Sequence, residues 1–378
     1  MQITCYDSVF QTAIMMNAPQ DILRATREYE AWLASQVQIV RVDLQAKHRL
    51  MAEDSFSFLR ATFYRWAQLF PTLCPKSAAA PTVLGIGDLH VENYGTWRDA
   101  EGRLVWGIND FDEACPLAYT NDLVRLATSA FLAIEADDLA LGRGTACRML
   151  LEGYAAGLGN GGRPVVLSEH NRWLRDAVTS RLRDPAKFWQ KLTARRLLRN
   201  AATDIWSQLT AALPKPTVKL HMVYRQVGLG SLGRPRFTVV ADWRGGKVAR
   251  EAKALVPSAW LWALGTSSDR PIYYDECVGR AVRAHDPFLK TQGAWILRRL
   301  SPYCSRIELK QMPRWRDEQK LLWTMGYELA NVHLGTRGAV ARILADLRRR
   351  KPKWLRQSAE TMGEATVADW KEWKRKTA

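Results

Sequence analysis

The chain has little of what marks a metal-stapled, secreted or membrane-embedded protein. Its six cysteines, at 5, 74, 115, 147, 277 and 304, form no Cys-x-x-Cys pair, and none lies close to a pair of histidines. Zinc and a disulfide framework are therefore not expected, and scattered single thiols suit a reducing cytosol. No apolar run approaches the roughly 20 residues that span a bilayer. Met1 to Asn17 is mildly apolar but holds Asp7 and has no basic start, so it does not read as a signal peptide. These absences predict a soluble, cytoplasmic protein. Acidic charge is also short: 38 Asp and Glu stand against 55 Lys and Arg, a net +17. That surplus predicts attraction to polyanions such as nucleotides, nucleic acid, acidic membranes or acidic proteins, without choosing between them.

What is present is globular material, 47% hydrophobic and 25% charged over 378 residues. That length allows two lobes or one large domain with appended helices. Residues 20–70 read as helical, with Tyr29, Trp32, Leu33, Val37 and Val40 recurring at spacings of three and four, and with Pro71 and Pro75 as the stop. Thr82 to Ile86 and Leu104 to Ile108 read as short strands opposed across a polar turn with Asp99, Glu101 and Gly102. Helical periodicity returns over 119–158 and, with interruptions, over 168–213. Beyond Pro214 and Pro216 the pattern becomes strand and glycine turn, repeated to Leu255. A helix and a strand, Ala294 to Leu297, follow within 272–300, and 317–335 reads as an amphipathic helix. The tail from Arg337 has twelve basic against five acidic residues, which suits a solvated helical face. Its Trp354, Trp370 and Trp373 argue that it packs on something.

Two acidic motifs carry the chemistry. Asp88 and Asn93 lie in the turn Gly87-Asp88-Leu89-His90-Val91-Glu92-Asn93 after the first strand, and Asp110 follows the second in Asn109-Asp110-Phe111-Asp112-Glu113. Pairing of the two strands would bring carboxylate and amide oxygens to one edge, which suits a hard cation such as Mg2+. Phosphoryl transfer needs such a set: one carboxylate to take the acceptor's proton, an amide oxygen and a second carboxylate to hold metal against phosphates. The bland alternative is turn chemistry, which accounts for either aspartate alone better than for the whole cluster. His90 reads as a packed structural histidine.

Gly228, Gly230 and Gly233, with Ser231 between them, give Gly-x-Gly-x-x-Gly. Alone this is a weak signal. In a dinucleotide fold it should open a helix; here the β-branched and aromatic segment Arg236 to Ala241 reads as a strand. A glycine loop between antiparallel strands is the kinase arrangement, covering phosphates with backbone N–H groups. A following strand should carry a lysine. Lys253 is the candidate, with Arg250 competing from the opposite face by strand alternation. Glu276, at the start of a helix, is the candidate partner for that lysine.

These residues carry a family resemblance. Gly87 to Asn93 resembles the catalytic loop of aminoglycoside and choline phosphotransferases, Ile108 to Asp112 their metal-binding segment, and Asp122-Leu123-Val124-Arg125-Leu126-Ala127 their downstream helix. A closer resemblance is to an uncharacterised conserved bacterial family showing Phe56 to Arg60, Gly87 to Gly95, Asn109 to Glu113, Gly228 to Gly233 and Leu329 to His333. It covers about residues 45–340. The resemblance implies Asp88 as catalytic base, Asn93 and Asp110 as Mg2+ ligands, Lys253 on the phosphates of ATP, and Asp122 as a brace for the catalytic loop. Two departures stand out. Ile86 replaces the histidine that usually precedes Gly-Asp, and the glycine loop follows the catalytic loop by about 140 residues instead of preceding it.

The implied fold is α+β: a protein-kinase-like two-lobed fold, circularly permuted, with a small antiparallel β lobe and a mainly helical lobe. Residues 1–213 would form the helical catalytic lobe, 214–316 the β-rich nucleotide-binding lobe, and 317–378 a helix returning to the catalytic lobe plus the basic tail. The expected activity is ATP- and Mg2+-dependent transfer to a hydroxyl of a small molecule or protein. Nucleotidyl (AMP) transfer or an ATP-binding pseudokinase is the first alternative. A basic nucleic-acid-binding protein is the second, on the +17 charge and sixteen tryptophans, although most of those tryptophans sit in apolar helical patterns that favour core packing.

Overall fold

The computed structural model describes residues 21–168, 170–179, 184–198, 203–265, 271–302, 304–306, 308–312 and 317–377. The N-terminal segment read above as no signal peptide, with Cys5, lies outside them. The described chain is a mixed α/β structure of many helices and three small antiparallel sheets. β1 (Thr82–Gly85) pairs with β4 (Cys115–Ala118). A four-stranded sheet has the order β11-β2-β3-β5, from Ser305–Arg306, Tyr94–Arg98, Leu104–Ile108 and Val165–Val166. A five-stranded sheet has the order β6-β7-β8-β10-β9, from Val218–Val223, Arg236–Trp243, Gly246–Ala254, Trp295–Leu300 and Lys290–Gln292. Among the described residues no helix is long and apolar enough to cross a membrane.

Two local expectations are corrected. The strands 82–86 and 104–108 do not pair with each other. The hairpin is β2–β3, turning at Asp99, whose carboxylate accepts from the backbone N–H of Glu101 and Arg103. The expected polar turn is therefore right, but its upstream strand is Tyr94–Arg98. The N-terminal helical stretch is four helices, Ile22–Gln36, Arg41–Glu53, Ser55–Ala61 and Phe63–Leu73. Val37 and Val40 sit in extended backbone between the first two, and Pro71 lies inside the last. Asp21 and Asp54 start two of them by accepting from backbone N–H groups three residues on.

The core is organised around the helix Tyr119–Glu135, in which fifteen of seventeen residues are buried. The helix Glu318–His333 stands where expected, but it is buried on nearly every side and not merely amphipathic. Glycine explains how. A Cβ on Gly326 would fall 2.1 Å from the Leu150 carbonyl oxygen, and one on Gly153 would fall 1.9 Å from that of Trp323. The helices Arg143–Asn160 and Glu318–His333 thus meet backbone to backbone. The tail helix Trp354–Thr377 packs Trp373 against Ile22, Met51 and Phe58, so its tryptophans do anchor it.

Strand alternation sorts the five-stranded sheet. One face carries Val239, Ala252 and Leu297 against the helix Thr203–Ala211. The other carries Val240, Ala249 and Leu300 against Leu192, Phe188 and Trp189 of the helix Pro185–Thr193. Register puts Glu251, Lys253 and Arg298 on that second face.

Candidate functional site

The turn after β1 is held from beneath by one carboxylate. Asp122, fully buried at the start of the central helix, accepts from the backbone N–H of Ile86 at 2.7 Å and of Gly87 at 2.9 Å. The oxygen that accepts from Ile86 also meets His333 Nε2 at 3.0 Å, and His333 Nδ1 meets the Tyr154 hydroxyl at 2.8 Å. The brace implied for Asp122 is in place, and a histidine reaches it from the far helix although Ile86 has replaced the usual one. Gly87 turns with φ +79°, and a Cβ there would collide with the Glu113 carbonyl at 2.5 Å. The turn is thereby pressed onto the second acidic motif.

Asn93 ties the two motifs together. Its Nδ2 donates to the Asp88 carbonyl at 3.2 Å and to the Asp110 carbonyl at 3.1 Å. Those two bonds orient the amide, leaving Oδ1 buried with no hydrogen-bond partner. A buried amide oxygen left unpaired costs free energy unless something outside the chain satisfies it. Beside it stands the Asp110 carboxylate, half-exposed at 48%. Partial burial works against its charge, but the Lys253 ammonium and hydrogen bonding from Asp112 hold Asp110 below the ordinary carboxylate value. Asp112 moves the other way, pushed up to about 6 by burial and by neighbouring Asp110, and its Oδ1 is likewise without a partner. Oxygens of Asn93 and Asp110 could hold a hard divalent cation.

Asp88 is gripped by Arg125, one turn along the helix from Asp122. The Arg125 Nε donates to Asp88 Oδ1 at 3.0 Å, while its NH2 also donates to the Leu59 carbonyl. The guanidinium packs against the rings of both Phe63 and Trp66, with no solvent exposure. Burial raises the Asp88 carboxyl above its ordinary value, and Arg125 opposes that rise. The result is a fixed, mostly buried carboxylate whose other oxygen faces the glycine loop.

The glycine loop comes from the five-stranded sheet. It connects β6 to β7, as expected, and takes positive φ at Gly228 (+83°) and Gly233 (+98°). Gly230 lies over Asp88: a Cβ there would stand 3.3 Å from Asp88 Oδ2 and 3.1 Å from the Arg60 carbonyl. The Ser231 hydroxyl is turned inward, donating to Gly228 and accepting from Arg236. Lys47 donates to the Gly230 carbonyl at 3.3 Å, and burial pushes its ammonium down to about 8. The space enclosed by loop, Asp88 and Asn93 is about 60 Å³, room for a few waters.

Lys253 reaches the acidic motif from β8. Its Nζ stands 3.4 Å from both Asp110 oxygens and contacts Asp112. Arg250, the competing candidate, is on the opposite face, where it donates to the Ala212 carbonyl and stacks over Phe288. Glu276 does not meet Lys253. It pairs with Arg280 on its own helix, 2.8 Å away, and the carboxylates of Lys253 are Asp110 and Asp112. The proposed helix-borne glutamate is therefore replaced by the acidic motif itself. His90 is packed, edge-on to Phe56, with burial holding its imidazole well below the ordinary value.

Four contributors were not assigned roles from sequence: Arg125, His333, Lys47 and Arg234. Arg125 and His333 fell inside segments of the resemblance, so position marked them while chemistry did not. Arg234, directly after the glycine loop, donates to Glu113 at 2.7 Å and locks the loop to the second motif. No curated protein and no solved structure matches the chain. Residues 40–213 do match the family described as "Uncharacterized protein conserved in bacteria (DUF2252)", which bears out the resemblance to an uncharacterised conserved bacterial family over that stretch.

Proposed function

We propose that the chain is an ATP- and Mg2+-dependent phosphotransferase acting on a hydroxyl acceptor, with a kinase-like site assembled in permuted order. One observation carries this reading: Asp88, Asn93 and Asp110 converge with the glycine loop and Lys253, which arrive from more than 100 residues away. The unpaired Asn93 Oδ1 next to the half-exposed Asp110 supports a cation there. When bound, Mg2+ would neutralise phosphate charge that otherwise repels the attacking oxygen. Lys253 would contact the phosphates, and the backbone of Gly228 to Gly233 would cover them. Asp88 accepts the acceptor's proton as the acceptor oxygen bonds to the γ-phosphorus and the bond to ADP breaks.

The closed loop over Asp88 bears on how this site works. Some 60 Å³ does not admit a phosphoryl group and an acceptor together, so Gly230 must lift for substrates to meet Asp88. Asp88→Asn tests the role of the carboxylate. The amide keeps its shape but takes no proton. ATP affinity should persist while turnover, followed as ADP release with water as acceptor, falls by about a hundredfold to ten-thousandfold. Full turnover in Asp88→Asn would remove it as the base.

A further inference from the structure

A second, larger cavity of about 870 Å³ opens between the five-stranded sheet and the helix Pro185–Thr193 and reaches Asp110 and Lys253. Its volume lies near the upper end for ligand pockets. Ten basic residues line it against four acidic ones, an excess that a site for a cationic or neutral ligand would not carry.

The cations fall into two groups. On the sheet side, Arg225, Arg236 and Arg298 all pair with the single buried carboxylate of Glu251. Three guanidiniums on one carboxylate leave two positive charges unbalanced, and Arg225 Nε is buried without a hydrogen-bond partner. On the helix side, Lys187, Lys191 and Arg195 recur every four residues, with Phe188 and Leu192 between them, and all five line the cavity. Lys187 and Lys191 lie one turn apart on one face of the helix, and Arg195 follows just past its end. Among the described residues, no carboxylate stands within 4.0 Å of Lys187, Lys191 or Arg195. Lys187 and Lys191 are exposed to solvent and share the lining of one cavity with the three arginines of the sheet. Like charges gathered this way repel unless an anion joins them.

A magnesium-bound nucleotide carries only roughly two net negative charges, because the metal cancels part of the phosphate charge. Lys253 and the Asp110 motif already provide its contacts. The cations at Lys187, Lys191 and Arg195 and of the Glu251 cluster exceed that need. The geometry points to a second ligand here: a small phosphorylated molecule, held by its existing phosphate between Lys187, Lys191 and Arg195 and the arginines around Glu251, as the acceptor of the transfer. The acceptor role rests on the phosphotransferase reading; the anion site does not.

Inorganic tripolyphosphate, titrated calorimetrically without Mg2+, is the probe. The proteins are wild type, Lys187→Glu/Lys191→Glu, and a control carrying the same charge change elsewhere, Arg342→Glu/Lys371→Glu. The expected result is about tenfold or greater weakening in the first double variant and little change in the control. Equal weakening in both, or none in the first, would overturn the site. A 20-nucleotide single-stranded RNA that outcompetes tripolyphosphate at this cavity would also overturn it, replacing a small ligand with nucleic acid. Mg2+–ATP titrated into wild type separates the two claims. Failure of ATP to bind, with the tripolyphosphate result intact, removes the phosphotransferase reading and leaves an anion site. Normal ATP binding with no effect of Lys187→Glu/Lys191→Glu removes the anion site alone.

Discussion

At the scale of single residues, the site turns on how Arg125 treats Asp88. A buried carboxylate resists ionisation, and a guanidinium at hydrogen-bond distance offsets part of that resistance. In the proposed reaction Asp88 must be ionised to take a proton, so turnover is lost as pH falls through its pKa. Removing the cation by Arg125→Met leaves burial unopposed and raises that pKa. The acid limb of the ATP turnover profile should therefore move to higher pH, with thermal melts showing that the variant is folded. An acid limb that stays where it was would mean that Arg125 does not set the base. This pairing was not legible in the sequence, because 37 residues and a strand pair separate Asp88 from Arg125. Asp88, Asn93 and Asp110 were legible as candidates from their two acidic motifs after short apolar strands, although those strands pair with β4 and β2 and not with each other. The partner of Lys253 was misjudged for the same reason that Arg125 was missed. Which carboxylate faces a lysine depends on sheet packing, and Glu276 is turned towards its own helix.

Among elements, helices and the glycine-separated strands were readable because their periodicity survives in one dimension. β2 and β4 were not. Tyr94-Gly95-Thr96-Trp97-Arg98 holds a glycine directly after a polar turn, and Cys115-Pro116-Leu117-Ala118 holds a proline; both features weaken a strand signal. Pro116 is tolerated because β1–β4 is a two-stranded sheet, in which each strand has a free edge. The burial of Glu318–His333 on nearly every side was also hidden, since it depends on glycines in both packed helices. Gly326 offers a test of these contacts from within the buried helix itself. Gly326→Ala drives a methyl into the Leu150 carbonyl and forces the two backbones apart. The helix that carries His333 to Asp122 would shift with it. A loss of about 3 kcal/mol or more in urea unfolding is expected. A loss below about 1 kcal/mol would show that these helices are not locked by contact.

For the whole molecule, the order of the parts is the central point. The acidic motifs lie near the beginning of the chain, the glycine loop and Lys253 well after its middle, and the fold places them against one another. The match over residues 40–213 includes Asp88, Asn93, Asp110, Asp122 and Arg125 but stops before Gly228 and Lys253. What joins the two halves is therefore the geometry: Lys253 on Asp110, Gly230 over Asp88, and Arg234 on Glu113. The net charge of +17 finds a local expression in the basic cavity beside the sheet, not only in the tail. The measurement that bears most directly on the phosphotransferase reading is calorimetric titration of ATP with and without Mg2+, on wild type and on Asp110→Ala. Mg2+ should strengthen ATP binding to wild type, and that gain should vanish in Asp110→Ala. ATP binding that is equally metal-dependent in Asp110→Ala, or absent from wild type, would contradict it.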